Sequence, residues 1–302
     1  MRNKALAGIY VAAVTPLKDN FTIDLEAIPQ LMKFFAKRGC HGVLLSGPTG
    51  EGPSFSTAER REFWTEAIKI KQEYPYFRFM AGTGSPSIEQ TIELNKIAFD
   101  LGFEAVVTLP PYYFRTASEQ GLFEWFSQVI NKSVSEGGWL FGYHIPQVSG
   151  VGLSALLLKR LRDAYPNKFG GIKDSSGDLD HAKEISEILE DRLVLVGNDR
   201  LLADNMKING DGCITAMANL ISPQLRFIWD AHQNGKPTEK LQEKVTKART
   251  IGERYQPFPS SIKSLLSVMH GFPLWSTKAP LTTYPEGILQ QVAKELNQVL
   301  NN

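Results

Sequence analysis

Eight short apolar runs punctuate this chain, and a helical pattern follows most of them. The runs are Ile9–Val14, Gly42–Leu45, Arg78–Ala81, Ala105–Leu109, Trp139–Tyr143, Gly171–Lys173, Leu193–Val196 and Gly212–Thr215. Each is too short for a helix and too uniformly apolar for a strand with one wet face. Buried parallel strands satisfy both conditions. Eight strands alternating with helices predict an α/β fold, a (β/α)8 TIM barrel, with a doubly wound open sheet as the alternative. The intervening segments carry helix punctuation. "IDLEAIPQLMKFFAKRGC" reads as a helix capped by Asp24 and stopped at Gly39, with Leu25, Ile28, Leu31, Met32 and Phe35 on one face. Ser56 and Glu59 have capping-box spacing, and Ser154 opens another helix. After about residue 222 the strand signal fades. The expected organisation is a barrel over 1–222 that carries the active site, with a helical region over 223–302 packed on it.

Composition closes off several function classes. Net charge is +1, with no basic stripe or acidic tail, so neither nucleic acid nor a membrane surface is indicated as a partner. No apolar run reaches the length of a membrane span, and the N-terminal apolar run reads as a first strand, not a signal peptide. Cys40 and Cys213 stand far apart among apolar neighbours and read as free buried thiols. A reducing cytoplasmic setting is expected.

In a barrel of this kind the chemistry sits at the carboxyl ends of the strands. Among the eight terminal positions only one is a lysine, Lys173, in "GGIKDSSGD". An amine aimed into an enclosed barrel mouth is costly to keep charged. An unprotonated amine is a nucleophile, and its target is a ketone, giving a Schiff base. The alternative is a structural lysine ion-paired with Asp174 or Asp178. Tyr143 ends the preceding run, where a phenol can move protons; otherwise it is a packed core tyrosine. "GPTGEG" offers backbone amides beside the Thr49 hydroxyl, a nest suited to a carboxylate, or else a tight turn. Of the histidines, only His144 lies near a strand's carboxyl end. It lacks an H-x-H or H-E-x-x-H partner, so no metal is expected. "AGTGSPS" is an incomplete glycine motif and weak support for nucleotide binding.

Five motifs, "SGPTGEGPSFSTAE", "TLPPYYF", "YHIPQVSG", "GGIKDSSGD" and "GDGCITAMAN", occur in order at strand ends. Together they resemble the dihydrodipicolinate synthase/N-acetylneuraminate lyase family, and the resemblance extends to about residue 270. It implies (β/α)8 barrels with a C-terminal helical part, assembled as homotetramers. It also implies cleavage or condensation of pyruvate-containing substrates through a lysine imine, without metal or organic cofactor. On this resemblance Lys173 is the Schiff-base lysine and Tyr143 the proton-transferring tyrosine. Thr49 and Gly50 hold the pyruvate carboxylate, the Ile214 carbonyl faces the pyruvyl group, and Tyr113 reaches a neighbouring subunit's site.

The departures bear on the substrate. Pro48 stands where the family has a relay hydroxyl, so no relay runs through that position. Val148 stands where the synthases carry an arginine that holds the carboxylate of aspartate semialdehyde, and a valine cannot form that fork. "YHIPQVSG" is similar to the sialic-acid lyase branch. Ser175 and Asp199 fit its polyol-binding positions, whereas Arg200 replaces an acid and Ala216 a serine. Arg200 could meet a distal carboxylate or phosphate, or be a solvated helix-start arginine. The reading is therefore a class I pyruvate-dependent aldolase acting on a 2-keto-3-deoxy sugar acid or sialic-acid-like substrate, with pyruvate and an aldehyde as partners. The alternatives are 4-hydroxy-tetrahydrodipicolinate synthase, a keto-deoxy sugar acid dehydratase and a non-catalytic keto-acid sensor.

Overall fold

The computed structural model describes residues 4–285 and 287–301. Eight strands close a barrel in chain order, so the open-sheet alternative is excluded. The elements run β1 (Gly8–Ala12), α1 (Ile28–Lys37), β2 (Gly42–Leu45), α2 (Thr57–Ile68), β3 (Arg78–Gly82), α3 (Ile88–Asp100), β4 (Ala105–Thr108), α4 (Glu119–Ser133) and β5 (Trp139–His144). A short α5 (Pro146–Ser149) follows, then α6 (Ala155–Ala164), β6 (Phe169–Asp174), α7 (Leu179–Leu189), β7 (Leu193–Val196), α8 (Leu202–Lys207) and β8 (Gly212–Thr215). The chain ends with α9 (Ala218–Gln233), α10 (Glu239–Gly252), α11 (Phe258–His270) and α12 (Gln290–Asn301).

The chain divides into two compact units. One comprises Met1–Gly8 and Arg78–Ile214; the other comprises Ile9–Phe77 and Thr215–Asn302. In the first unit β3 to β8 pair in parallel in sequence order. Their residues are buried apart from the first of β3 and of β5, which explains why the runs read as uniformly apolar. In the second unit β1 pairs with β2, Tyr10 opposite Gly42, and α1, α2 and the C-terminal helices complete the packing.

Several local signals set the helix ends. Ser56 and Glu59 close a reciprocal capping box on α2. Ser154 accepts the Leu157 amide at the start of α6, and Asp178 caps α7. Gly39 and Gly102 take positive φ just past their helices. The Asp24 cap is a correction. α1 begins at Ile28 with no side-chain cap, and residues 25–27 form a turn. Pro29 decides this. Its missing N–H and fixed φ suit the first helical turn, whereas a start at Leu25 would put it in the interior, facing a carbonyl it cannot bond. Cys40 and Cys213 are free and buried, and burial pushes the Cys40 thiol up to about 12. Among the described residues no helix is long and apolar enough to cross a membrane.

Candidate active site

The first unit holds the amine and the phenol side by side. β5 and β6 run in parallel with Tyr143 opposite Lys173 and His144 opposite Asp174. Strand alternation sends the two pairs to opposite faces. His144 and Asp174 meet His181 on α7, so theirs is the helix side. Lys173 and Tyr143 therefore face the barrel interior.

Two glycines set that register. Leu140 is opposite Phe169 but Phe141 is opposite Gly171, so β6 carries one extra residue, Gly170. Without this bulge Lys173 would align with His144 and turn to the helix side, because a one-residue slip reverses every side chain. Gly171 has φ +136°, and a Cβ there would lie 2.0 Å from the Leu193 carbonyl oxygen. "GGIKD" thus encodes the device that aims the lysine inward, a role the sequence reading did not assign to its glycines.

Lys173 is only 3% exposed, and Tyr143 is likewise buried. The lysine Nζ sits 4.1 Å from the centroid of the Tyr143 ring. It has no ion pair or hydrogen bond among the described residues. Both carboxylates offered by the structural-lysine alternative are committed elsewhere. Asp174 accepts from the Ser176 amide at 2.9 Å and meets His181 Nδ1 at 3.1 Å. Asp178 accepts from the amides of Asp180 and His181 at the α7 N-terminus.

Behind this pair His144, Asp174 and His181 bring potential metal-ligand atoms within 4.8 Å of one another. Local spacing offers His144 no partner, and α7 supplies one. Burial pushes the Asp174 carboxyl up, but the bonds from His181 and Ser176 outweigh it and hold the group below its ordinary value. The bond to Asp174 raises His181 against the effect of burial, whereas burial lowers His144. His144 Nδ1 accepts the Leu153 amide at 3.0 Å, which places the neutral ring's proton on Nε2. The ring therefore has no nitrogen lone pair left for a metal. The cluster buckles α7 to the barrel, to β6 through the Asp174–His181 hydrogen bond and to β5 through the packed rings of His144 and His181.

The second unit holds the turn after β2. Pro48–Gly50 form a 3-10 turn flanked by two non-glycine residues of positive φ, Ser46 (+54°) and Glu51 (+56°). Trp64 Nε1 donates to Ser46 Oγ at 2.9 Å, and Thr15 Oγ1 donates to the Gly50 carbonyl at 2.7 Å. The Thr49 hydroxyl makes no hydrogen bond among the described residues. The Gly50 amide already donates to the Gly47 carbonyl at 3.0 Å, so a ligand must share it. Glu51, which the sequence reading passed over, is bonded to Lys263 and to the Lys278 amide.

The other expected residues lie on loops or strand ends. Ile214 is buried in β8. Ser175 donates its amide to the His144 carbonyl at 2.8 Å, and its Oγ lies 1.8 Å from where a Cβ on Gly197 would stand. Asp199 is buried, and the amide of half-buried Arg200 donates to Asn198 Oδ1. Val148, on α5, is 62% exposed. Tyr113 is 76% exposed and packs edge-on against Phe114. In "AGTGSPS" a Cβ on Gly84 would lie 2.6 Å from the Leu109 amide nitrogen, so close packing accounts for that glycine.

Residues 5–299 match the model of the dihydrodipicolinate synthetase family. The chain belongs to this family. Relatives include a DapA-like lyase of Chloroflexus aurantiacus, 31% identical over 91% of this chain and 90% of that protein. A 4-hydroxy-tetrahydrodipicolinate synthase of Clostridium perfringens is 28% identical over 87% of this chain and 88% of that one. Among solved structures, the dihydrodipicolinate synthase of Agrobacterium tumefaciens superposes with a TM-score of 0.84 at 29% identity, covering 97% of this chain and 99% of that chain. YagE of E. coli K12, solved with pyruvate, shares the fold with a TM-score of 0.90 at 23% identity, covering 97% and 98%. The family supports an enzyme of the lyase type on a class I pyruvate aldolase fold.

Proposed function

We propose that this chain is a class I pyruvate-dependent aldolase that cleaves a 2-keto-3-deoxy sugar acid or sialic-acid-like substrate to pyruvate and an aldehyde. The observation that carries the reading is Lys173, buried against the Tyr143 ring with no carboxylate to neutralise it. Its amine attacks the substrate's C2 ketone while Thr49 and Gly50 take the C1 carboxylate. Tyr143 gives its proton to the departing hydroxyl, so the carbinolamine loses water to give the protonated imine and leaves the tyrosine as a phenolate. Tyr143 accepts the C4 hydroxyl proton as the C3–C4 bond breaks, and its electrons pass to the imine nitrogen. The aldehyde leaves. The resulting enamine is protonated at C3, and water releases pyruvate and the lysine. Holding both ends of the keto acid supplies much of the acceleration.

Pro48 offers no hydroxyl, so Tyr143 works without a relay through that position. The open face of Val148 favours an aldehyde with no carboxylate at that point, which weighs against the synthase activity that some relatives' names carry. The same proposal places the enzyme in the cytoplasm as a homotetramer, in which exposed Tyr113 meets a neighbouring subunit. The test is a pyruvate-release screen over sialic acid and 2-keto-3-deoxy sugar acids, run beside condensation of pyruvate with aspartate semialdehyde. Release from a sugar acid supports the reading. Condensation as the dominant activity overturns it.

A further inference from the structure

The turn that carries Thr49 and Gly50 is fastened from far along the chain. Glu51 follows Gly50 directly, and its φ of +56° is a conformation a glutamate adopts only under constraint. Both its carboxylate oxygens are taken: Oε1 by Lys263 Nζ, and Oε2 by the Lys278 amide at 2.8 Å. Lys263 lies on α11, and its Nζ also donates to the Ser276 carbonyl at 2.6 Å. Both side chains are 0% exposed. Lys278 in turn bonds Glu59 on α2 and lies over the Phe55 ring, with Nζ 4.4 Å from its centroid. A fully buried ion pair is a poor stabilising device, because desolvation of both charges offsets their attraction. It fixes geometry well, because neither partner has another place to go.

We infer that Lys263 is a positioning residue for carboxylate binding. It holds Glu51, and Glu51 holds the left-handed corner that presents the Thr49 hydroxyl and the Gly50 amide. This rests on the reading that those two groups take the keto acid's carboxylate. The C-terminal helical segment therefore takes part in substrate recognition without touching substrate.

The experiment compares imine trapping by borohydride with two ketones, pyruvate and methyl pyruvate, in which an ester replaces the carboxylate. Wild type should trap pyruvate at the lower concentration. In Lys263→Met the pyruvate concentration for half-maximal trapping should rise by about ten-fold, while that for methyl pyruvate stays put. Glu51→Gln, a milder change that keeps the hydrogen-bonding shape, should shift the same ratio in the same direction and serves if Lys263→Met folds poorly. A general structural role would raise both half-saturation values alike in either variant, and that result overturns the inference. Undiminished preference for pyruvate in both variants overturns it too. If wild type itself traps the two ketones equally, the carboxylate reading of Thr49 and Gly50 fails first and takes the inference with it.

Discussion

Among the described residues two lysines are buried, and methionine at each should move stability in opposite directions. Lys173 has only the Tyr143 ring, 4.1 Å from its nitrogen. A buried donor without a hydrogen bond costs about 1–3 kcal/mol, and the ring returns about 0.5–2 kcal/mol. Methionine keeps the length and apolar stem, so Lys173→Met should gain about 1 kcal/mol by the same figures. Lys263 is the converse case, since its removal strands the Glu51 carboxylate with no exposure to water. Losing one partner of such a pair costs about 3–5 kcal/mol. At about 2 cal/mol/K of unfolding entropy per residue, each kcal/mol moves the midpoint of this 302-residue chain by about 1.5 °C. Lys173→Met should therefore melt about 1–2 °C above wild type and Lys263→Met about 5–8 °C below it. Urea titrations with matched m-values give the free energies, and calorimetry gives the midpoints. A loss of more than about 1 kcal/mol in Lys173→Met, at unchanged m, would mean the amine has a stabilising partner and is structural. A Lys263→Met protein as stable as wild type would refute the account of the buried pair.

Other outcomes follow from single contacts. The Asp174 bond raises His181 above its ordinary value of 6.5, so its stabilising effect is complete below that pH and fades as pH climbs through the raised value. The advantage of wild type over His181→Asn in urea should thus be larger at about pH 5.5 than at about pH 9, and an equal gap contradicts the assignment. Gly52→Ala places a Cβ 1.9 Å from the Ser46 carbonyl oxygen. It should cost about 3 kcal/mol or more, and a urea midpoint within error of wild type would sink that estimate. Val148→Arg adds a fork at an exposed position, so folding should be unaffected and the rate ratio of acidic to neutral aldehydes in condensation should rise. No change in that ratio removes Val148 from the specificity argument.

The barrel was legible because parallel strands buried on both faces leave a distinct trace, short unbroken apolar runs such as "GVLL" and "LVLV". Caps such as Ser56 with Glu59 were legible because both partners lie within one helical turn. What escaped depends on partners brought together by the fold. Asp24 has the chemistry of a cap, but Pro29 moves the helix start past it. Lys173 and Tyr143 were readable as lying at strand ends, one residue short of where β6 and β5 stop, yet the bulge at Gly170 that turns Lys173 inward appears only in the pairing of β6 with β5. His181 reaches His144 from another element, and Lys263 reaches Glu51 across 212 residues. No local spacing announces either pair.

The central claim is a covalent one: a keto acid forms an imine with Lys173. The direct measurement is incubation of the protein with pyruvate and borohydride, followed by mass spectrometry of its peptides. The expected result is a reduced pyruvyl adduct on Lys173, none on Lys263, and no adduct in a folded Lys173→Arg variant. A folded wild-type protein that leaves Lys173 unmodified, or carries the adduct on another lysine, contradicts the account.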